Sequence, residues 1–478
     1  MSHEDRELTA DGGSFRDRSN RVYSDGTHVF RGIDLDLLEA YETFSNTRFF
    51  QDFHDAGKVV ATKLLDRRPD EAPRSWAAFL EHEKIPFVSY PYEWSFGMLK
   101  DAALLQLELI TRALPEGWTH KDASAYNIQW QGSHPVFIDV PSFTAYQDGE
   151  PWVGYRQFCM MFLYPLMLKA YKGLSFRPFL RSHLEGIEPT QADLLLTGFD
   201  RLKKGVLGHV YLHAKMQRRH DGADINEARE LTEHSTQTIK KKTSVKHSQA
   251  MVLGTLESLQ RIVRGLNISS TQTVWGDYDR DHSYADDSFQ LKRDFVTKHA
   301  AGERRNLVWD LGCNTGTFSK ICAQHSRYVV AADGDERAIE RLYQALKTDN
   351  TDNILPLVID LANPSPNQGW RGLERKAFDA RDQPDLILCL ALIHHLVISA
   401  NIPLKEFVSW LRQRHADVII EFVSNEDDMV KMMMRNRVNQ YAELTESRFE
   451  QMITESFSII DRQPLKGGHR TLYFLTPS

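Results

Sequence analysis

The chain has 478 residues, of which 41% are hydrophobic and 26% charged, a composition typical of folded proteins that excludes a disordered or collagen-like chain. At roughly 100–200 residues per domain, this length predicts more than one domain. The chain carries 58 lysines and arginines against 65 aspartates and glutamates, and its net charge of −7 argues against a general affinity for nucleic acid or anionic lipid.

The cysteines and the apolar runs indicate the cellular compartment. The four cysteines are scattered without C-x-x-C spacing, so neither a disulfide framework nor a zinc knuckle is predicted. Residues 1–20 are charged and lack the apolar segment of a signal peptide. The longest apolar runs, 158–168 and 386–398, are too short to span a bilayer. These features predict a cytoplasmic protein without a membrane span.

The sequence pattern of the first half of the chain predicts a small lobe followed by a helical lobe. Residues 1–20 are expected to form a flexible N-terminus. Residues 21–95 are expected to form the small lobe, with two strands over 21–33 about an Asp25-Gly26 turn and a third over 58–65. Apolar residues at helical spacing over 96–114 predict a helix that opens the helical lobe, 96–265.

A linker is predicted between residues 266 and 290, where helical periodicity fails and polar residues accumulate. Its histidine and aromatic residues could form a lid over a ligand, or they could pack between domains; they are Trp275, Tyr278, His282 and Tyr284.

Strands alternate with helices over residues 291–478. Apolar strands are predicted at 307–311, 328–332, 354–359, 386–390, 418–423, 457–460 and 471–475. Helices are predicted over 335–347, 404–415 and 447–455. This alternation predicts an α/β domain with a parallel sheet covered on both faces.

The first of these strands ends in a turn that carries two glycines. Gly312 and Gly316 would let the backbone approach a ligand closely, beside the N-terminus of the next helix. Asn314 lies where its short side chain tolerates a left-handed backbone. The G-x-x-x-G spacing differs from the dinucleotide fingerprint G-x-G-x-x-G, which disfavours a cofactor with a pyrophosphate.

The segment from Asp310 to Gly316 resembles the first motif of class I S-adenosylmethionine-dependent methyltransferases. The resemblance implies a Rossmann-like seven-stranded sheet and S-adenosylmethionine as cofactor. It implies that Asp333, after the second strand, binds the ribose hydroxyls and that Asp360, after the third, lies near the adenine amine. The fourth strand would lead through Leu390 to the acceptor. The cofactor site implied in this way comprises Asp310, Gly312, Asn314, Gly316, Asp333, Asp360 and Leu390.

Methyl transfer is an in-line displacement in which alignment and desolvation supply much of the acceleration, so few catalytic residues are obligatory. His394 or His395 could act as a base because imidazole titrates near neutrality, or could pack as a wall of the site. Glu421 could direct a carboxylate toward the acceptor or lie at a solvated strand end. The fourth strand lacks the Asn/Asp-Pro-Pro-Tyr/Phe and Pro-Cys motifs of nucleic-acid methyltransferases, so nucleic acid is not the expected acceptor.

A second motif lies in the N-terminal half. His120, Asp122 and Asn127 have H-x-D-x-x-x-x-N spacing, and Asp139 follows a short hydrophobic strand. The pattern resembles the catalytic loop and metal-binding acid of kinase-like phosphotransferases, including the aminoglycoside group. The resemblance implies a kinase-like α+β module in which Asp122 orients or deprotonates the acceptor hydroxyl. Asn127 and Asp139 would hold Mg against the phosphates of ATP if the module is active.

The N-terminal half also departs from that family. Lys63, in Val60-Ala61-Thr62-Lys63, resembles the phosphate-pairing lysine, but no glycine-rich loop precedes it. Val140-Pro141 follows Asp139 where protein kinases have Phe-Gly. A kinase-like fold retained for binding or regulation is therefore the main interpretation, and active phosphoryl transfer is the alternative.

Overall, the chain is similar to a group of bacterial methyltransferases related to nodulation protein NoeA. Its pairing of modules resembles enzymes that cap bacterial O-antigen glycans with phosphate and methyl groups, and this implies a small-molecule or glycan acceptor. Two alternatives stay open: a bifunctional kinase-methyltransferase, and a non-catalytic protein that senses the cofactor.

Overall fold

The computed structural model describes residues 8–219, 248–268, 286–302, 304–434 and 444–478. It confirms a mixed α/β protein, with a five-stranded sheet in the N-terminal half and a seven-stranded sheet in the C-terminal half. Among the residues described, none of the helices combines the length and apolar character needed to cross a bilayer. The aromatic residues proposed as a lid, Trp275, Tyr278, His282 and Tyr284, lie outside the described residues.

The N-terminal sheet is antiparallel, with strand order β1-β2-β3-β5-β4. Two helices, α1 and α2, separate β3 from β4. The elements are β1 (Thr9–Ala10), β2 (Asn20–Ser24), β3 (Val29–Ile33), α1 (Leu35–Phe44), α2 (Arg48–Asp55), β4 (Thr62–Leu64) and β5 (Ala78–His82). Within the segment expected to be flexible, 1–20, β1 pairs with the otherwise open edge of β2.

The helical lobe begins with α3 (Phe96–Ala113), as its apolar periodicity predicts. The Ser95 side chain accepts from the backbone N–H of Met98 and caps the helix, and Gly117, with φ of 83°, ends the turn that follows. Two short strand pairs come next, β6 with β9 and β7 with β8. These strands are β6 (Trp118–His120), β7 (Ile128–Gln131), β8 (His134–Phe137) and β9 (Phe143–Ala145).

The described helices in the rest of this lobe are short until its end. Two π-helical turns, Cys159–Leu163 and Val206–Leu212, lie among them. The helices are α4 (Tyr155–Phe158), α5 (Tyr164–Lys172), α6 (Arg177–Ser182), α7 (Pro189–Leu195) and α8 (Gln249–Gly265). The last of these, α8, packs against α3.

The C-terminal sheet has strand order β12-β11-β10-β13-β14-β16-β15. The prediction of a parallel sheet is confirmed for strands β10 to β14, but β15 and β16 are antiparallel to their neighbours. The reason is the short turn between β15 and β16, which can join only antiparallel strands. The strands are β10 (Arg305–Leu311), β11 (Ser326–Asp333), β12 (Ile354–Val358), β13 (Leu386–Cys389), β14 (Asp417–Val423), β15 (Phe457–Pro464) and β16 (Arg470–Pro477).

Helices of the C-terminal half surround this sheet. They are α9 (Asp286–Ala300), α10 (Thr317–Ala323), α11 (Glu336–Thr348), α12 (Leu404–Arg412), α13 (Asp428–Met434) and α14 (Glu446–Thr454). Residue 291, the expected start of the domain, lies inside α9. Helices α9, α10 and α11 pack on one sheet face, where their apolar side chains share a core with Val308 and Val329.

The N-terminal half covers part of the other sheet face. Between β12 and β13 the chain forms no helix longer than a single turn; we call this segment, residues 361–385, the arm. Phe87 packs against Trp309 of β10 and Phe378 of the arm, with ring centroids 6.4 and 5.8 Å apart. Trp130 packs in the same way against Tyr343 of α11, at 5.6 Å. The two halves therefore share one continuous hydrophobic core.

Candidate functional site

The carboxyl ends of the parallel strands bring the predicted cofactor residues to one edge of the C-terminal sheet. The glycine turn follows β10, Asp333 ends β11, and Leu390 follows β13. Asp360 follows β12 along the same edge. Open α/β sheets bind ligands at this edge, so these positions form a candidate site.

The glycine turn has a left-handed backbone at three positions. The φ angles are 78° at Gly312, 50° at Asn314 and 80° at Gly316, which confirms the left-handed conformation expected of Asn314. A Cβ atom at Gly316 would lie 2.5 Å from the Cδ1 atom of Leu342 in α11. The left-handed backbone and the close packing against α11 therefore both favour glycine at position 316, in addition to any approach of a ligand.

Asp333 joins the glycine turn to the start of α11. Its carboxylate oxygens accept hydrogen bonds from the backbone N–H groups of Asn314 and Asp335, both at 2.8 Å. Burial raises the pKa of Asp333, and these two N–H groups oppose the rise. A carboxylate has about four acceptor positions, so the side chain can still accept from the hydroxyls of a ribose. The residues of this edge fit a nucleoside.

Asp310 lies within β10 and is 2% exposed. Its Oδ2 atom accepts a hydrogen bond from the Ser319 hydroxyl of α10 at 2.5 Å. Burial raises the pKa of Asp310 to about 7. The contact ties the strand before the glycine turn to the helix after it.

Two cavities lie near the sheet. A cavity of about 190 Å³ beside the arm is lined mainly by apolar side chains, among them Leu361, Leu396 and Trp410. Leu361 directly follows Asp360, which is exposed and accepts from the N–H of Ala362 at 2.9 Å. A larger cleft of about 840 Å³ includes Ser326, at the start of β11. That cleft lies at the opposite edge of the sheet, so its volume does not mark the candidate site.

The predicted histidines lie together after β13. The rings of His394 and His395 have centroids 4.3 Å apart. Burial lowers the pKa of His394 to about 3 and also lowers that of His395, so both imidazoles are neutral at pH 7. The negative charge of Asp333 partly opposes the shift at His395. His394 would be a weak base, and His395 is better suited to accept a proton.

Glu421 is 0% exposed, so the interpretation of a solvated strand end is wrong. Burial is possible because cations surround the carboxylate: Lys292 Nζ lies 2.8 Å from it and an Arg470 nitrogen 3.3 Å. Asp427 accepts two further bonds from Arg470, at 2.7 and 3.1 Å. Sequence reasoning missed these partners. One signal was available, because Lys292 occupies an inward position of α9 between the buried Ser288 and Phe295.

The structure also brings together the predicted residues of the N-terminal half. The amide nitrogen of Asn127 lies 3.3 Å from Asp139 Oδ2 and 3.5 Å from the carbonyl oxygen of Asp122. His120 is 0% exposed, and burial lowers its pKa to about 4, which makes it a core histidine. Lys63 is exposed on the edge strand β4.

Arg31, which sequence reasoning missed, forms an ion pair with Asp139 of this group. It reaches from the central strand β3 and donates to Asp139 Oδ1 at 2.9 Å. The positive charge of the Arg31 guanidinium, paired with Asp139, repels a divalent cation, so the arrangement does not fit a magnesium ion unless Arg31 moves. Within the described residues, no cluster of three His, Cys, Asp or Glu side chains could hold a metal.

The arm contacts the loop that contains Asp122 and Asn127. The Arg375 guanidinium lies 4.0 Å from the ring centroid of Tyr126, a cation–π contact between the two halves of the chain. The backbone N–H of Lys376 donates to the Tyr90 hydroxyl at 2.8 Å. The segment that begins beside Asp360 thus extends to the N-terminal site.

Known proteins and solved structures resemble this chain to different extents. No protein-family model matches the chain. The chain is 32% identical over 472 residues to nodulation protein NoeA of Rhizobium meliloti (strain 1021), which covers 96% of this chain and 94% of that protein. The N-methyltransferase NodS of Bradyrhizobium japonicum WM9 is 17% identical, covering 40% of this chain and 99% of that one, with a TM-score of 0.30. Magnesium protoporphyrin IX methyltransferase of Synechocystis PCC 6803 is 17% identical, covering 44% and 87%, with a TM-score of 0.29.

Proposed function

The chain belongs to the family of nodulation protein NoeA, and from this premise we propose that it is an S-adenosylmethionine-dependent methyltransferase acting on a small-molecule or glycan acceptor. The C-terminal half would carry the methyl transfer. The N-terminal half would be a kinase-like module with a binding or regulatory role. We also propose that the protein is located in the cytoplasm.

The observation that carries the methyltransferase proposal is the position of Asp333 beside the glycine turn. The Asp333 carboxylate is held by the N–H of Asn314 at 2.8 Å, next to a backbone that is left-handed at Gly312. A carboxylate fixed in this way can accept from both hydroxyls of a ribose. The residues proposed to hold S-adenosylmethionine are Asp310, Gly312, Asn314, Gly316, Asp333, Asp360 and Leu390.

S-adenosylmethionine would supply an activated methyl group bonded to a sulfonium sulfur. The protein's part would be to align the acceptor and to exclude water from the cleft. His395, partly exposed and neutral at pH 7, could accept a proton from an acceptor hydroxyl. The more deeply buried His394 would form the wall behind it.

Calorimetry with S-adenosylhomocysteine, with wild-type protein and the variant D333N, tests the cofactor assignment. We expect the wild type to bind and D333N to bind about tenfold or more weakly, because an amide accepts fewer hydrogen bonds than a carboxylate. Asp349 is exposed, so the variant D349N serves as a control for the loss of one acidic charge. Wild-type protein that releases no heat of binding would refute the assignment.

A transfer assay tests the acceptor. Purified protein is incubated with methyl-labelled S-adenosylmethionine and a bacterial extract separated into metabolite, carbohydrate, protein and RNA fractions. We expect label in the metabolite or carbohydrate fraction. Label only in protein or RNA would contradict the acceptor class, whereas binding without turnover in any fraction would favour the alternative of a cofactor sensor.

One observation favours a second candidate function, phosphoryl transfer by the N-terminal module. Asp122, Asn127 and Asp139 lie together although Asp139 is 12 residues from Asn127 in sequence. The pairing of Arg31 with Asp139 argues for a binding role instead, because the guanidinium repels a divalent cation. Magnesium-dependent turnover of ATP, abolished in D122A, would establish the bifunctional enzyme. Absence of nucleotide binding by folded protein would remove it.

A further inference from the structure

The turn after β13 contains a residue in an unusual conformation. Ala391 has a φ of 50°, in the left-handed region that residues with a Cβ atom seldom adopt. It directly follows Leu390 and precedes His394 and His395 by three and four positions. A strained residue persists only where its surroundings hold it, so the neighbours of Ala391 need to be identified.

Glu421 holds this turn from the neighbouring strand. The backbone N–H of Ala391 donates to its Oε2 atom at 3.0 Å. The two strands, β13 and β14, are parallel and in register up to Cys389 and Ile420, so Glu421 lies beside the point where β13 ends. The N–H of Ala391 is partly buried and needs a hydrogen-bond acceptor, which the Glu421 side chain supplies.

Buried cations fix Glu421 itself. Lys292 of α9 and Arg470 of β16 both contact its carboxylate, and Asp427 anchors Arg470 on the other side. The side chains of Lys292 and Arg470 are 9% and 6% exposed. Two cations and two anions balance the charge, which makes their joint burial tolerable. The Glu421 carboxylate is thus occupied by protein donors and is not aimed at a ligand.

The turn at Ala391 carries Leu392, which packs against the glycine turn. A Cβ atom placed on Gly312 would lie 3.3 Å from Leu392 Cδ1, so Leu392 packs closely over that glycine. The backbone N–H of His395 donates to the carbonyl oxygen of Leu392 at 3.0 Å, so His395 belongs to the same turn. A shift of the turn would move both side chains relative to the residues proposed to bind the nucleoside.

We propose that Glu421 is a positioning residue of the cofactor site, which acts through the N–H of Ala391 to hold Leu392 and His395 against the glycine turn. This role differs from the acceptor-side catalytic role that the sequence suggested. The proposal rests on the proposed function, because S-adenosylmethionine is the ligand that Leu392 and His395 would contact.

Two charge-balanced double variants test the proposal, K292M/E421Q and K292M/E421M. Each removes one buried cation and one buried anion with little change of volume, so neither leaves an unpaired charge. The first keeps an oxygen that can accept from Ala391, and the second has none. By calorimetry with S-adenosylhomocysteine, we expect K292M/E421Q to bind within about threefold of wild type and K292M/E421M about tenfold or more weakly.

A variant at the other end of α9 provides the matched control. Asp461 pairs with Lys298 at 2.7 Å, so D461N removes an ion pair between α9 and the sheet without touching the turn at Ala391. Its affinity should equal that of wild type. Equal affinities of the two folded double variants would overturn the positioning role alone. Wild-type protein that does not bind would overturn the proposed function and this inference with it.

A single variant answers the same question if the double variants fail to fold. E421D keeps the charge that Lys292 and Arg470 require but shortens the side chain by one methylene, which withdraws the acceptor from Ala391. We expect it to bind S-adenosylhomocysteine at least about threefold more weakly than wild type. Unchanged affinity in E421D would contradict the proposal.

Discussion

Asp310 shows how a buried acid can link the stability of this fold to pH. Burial raises its pKa from 3.8 to about 7, although the Ser319 hydroxyl opposes the shift. Between these two pH values the folded chain keeps a proton that the unfolded chain releases. Asp310 therefore destabilises the folded state progressively as pH rises from about 4 to about 7, and by a constant amount above that range.

The variant D310N should remove this pH dependence, because an amide does not titrate. The free energy of unfolding of D310N minus that of wild type should rise between about pH 4 and pH 7 and then level off, by about 1.4 kcal/mol for each unit of pKa difference. Urea unfolding, followed by circular dichroism at several pH values, measures this difference in unfolding free energy. S319A is the control, since it removes the hydroxyl but keeps the acid. A difference that stays flat with pH would contradict the expected titration.

At the scale of elements, the arm is anchored to the N-terminal half by a buried ion pair. Arg381 donates to both oxygens of Glu93, at 2.5 and 2.8 Å, with side chains only 2% and 1% exposed. The guanidinium also lies 4.2 Å from the ring centroid of Tyr90. An ion pair this deeply buried is sensitive to the loss of one partner, because the other charge is left without compensation.

The substitution R381M should therefore cost about 3–5 kcal/mol of unfolding free energy. The double variant E93Q/R381M should lose less than the sum of the two single variants, by more than about 1 kcal/mol. Denaturant unfolding of the four proteins measures this coupling. K84Q breaks a more exposed pair, at 3.4 Å, between the small lobe and Asp382 of the same arm, and should cost less than about 1 kcal/mol. Additive effects at Glu93 and Arg381 would rule out the coupling.

The elements that sequence predicted best are those defined by contiguous residues. The apolar period of α3 and the seven apolar runs of the C-terminal half correspond to observed elements. The glycine turn and Asp333 could be predicted because each follows a parallel strand. The carboxyl ends of parallel strands lie at the same edge of a sheet, so the order of strands along the chain is enough to place them there. The missed contacts join distant positions: Lys292 and Glu421 are 129 residues apart, and Arg31 and Asp139 are 108 apart. Only tertiary packing brings such pairs together, and no local periodicity encodes them.

At the scale of the whole molecule, the two halves touch where the β7–β8 hairpin meets the chain before β12. Gly132 has a φ of 58°, and a Cβ atom there would overlap the backbone of Asp352. Its N–H donates to the Tyr328 hydroxyl at 2.9 Å. Gly117 has a similar left-handed backbone, with φ of 83°, but a Cβ atom there would meet nothing within 4 Å.

The pair of variants G132A and G117A separates backbone strain from contact between the halves. Both place alanine in a left-handed conformation, but only G132A also forces the halves apart. G132A should lower the unfolding free energy by about 1–3 kcal/mol more than G117A. Tryptophan fluorescence during denaturant unfolding provides the measurement. Equal losses in the two variants would mean that this contact does not hold the halves together.

The N-terminal half covers one face of the C-terminal sheet, so a fragment without it would lose that cover. Trp309 and Tyr343 are fully buried, and their partners Phe87 and Trp130 belong to the first 130 residues of the chain. A polypeptide excised from α9 onward would present these rings to water and tend to aggregate. Inactivity of such a fragment would reflect the loss of its packing partners and would not test its chemistry, so assays should use all 478 residues.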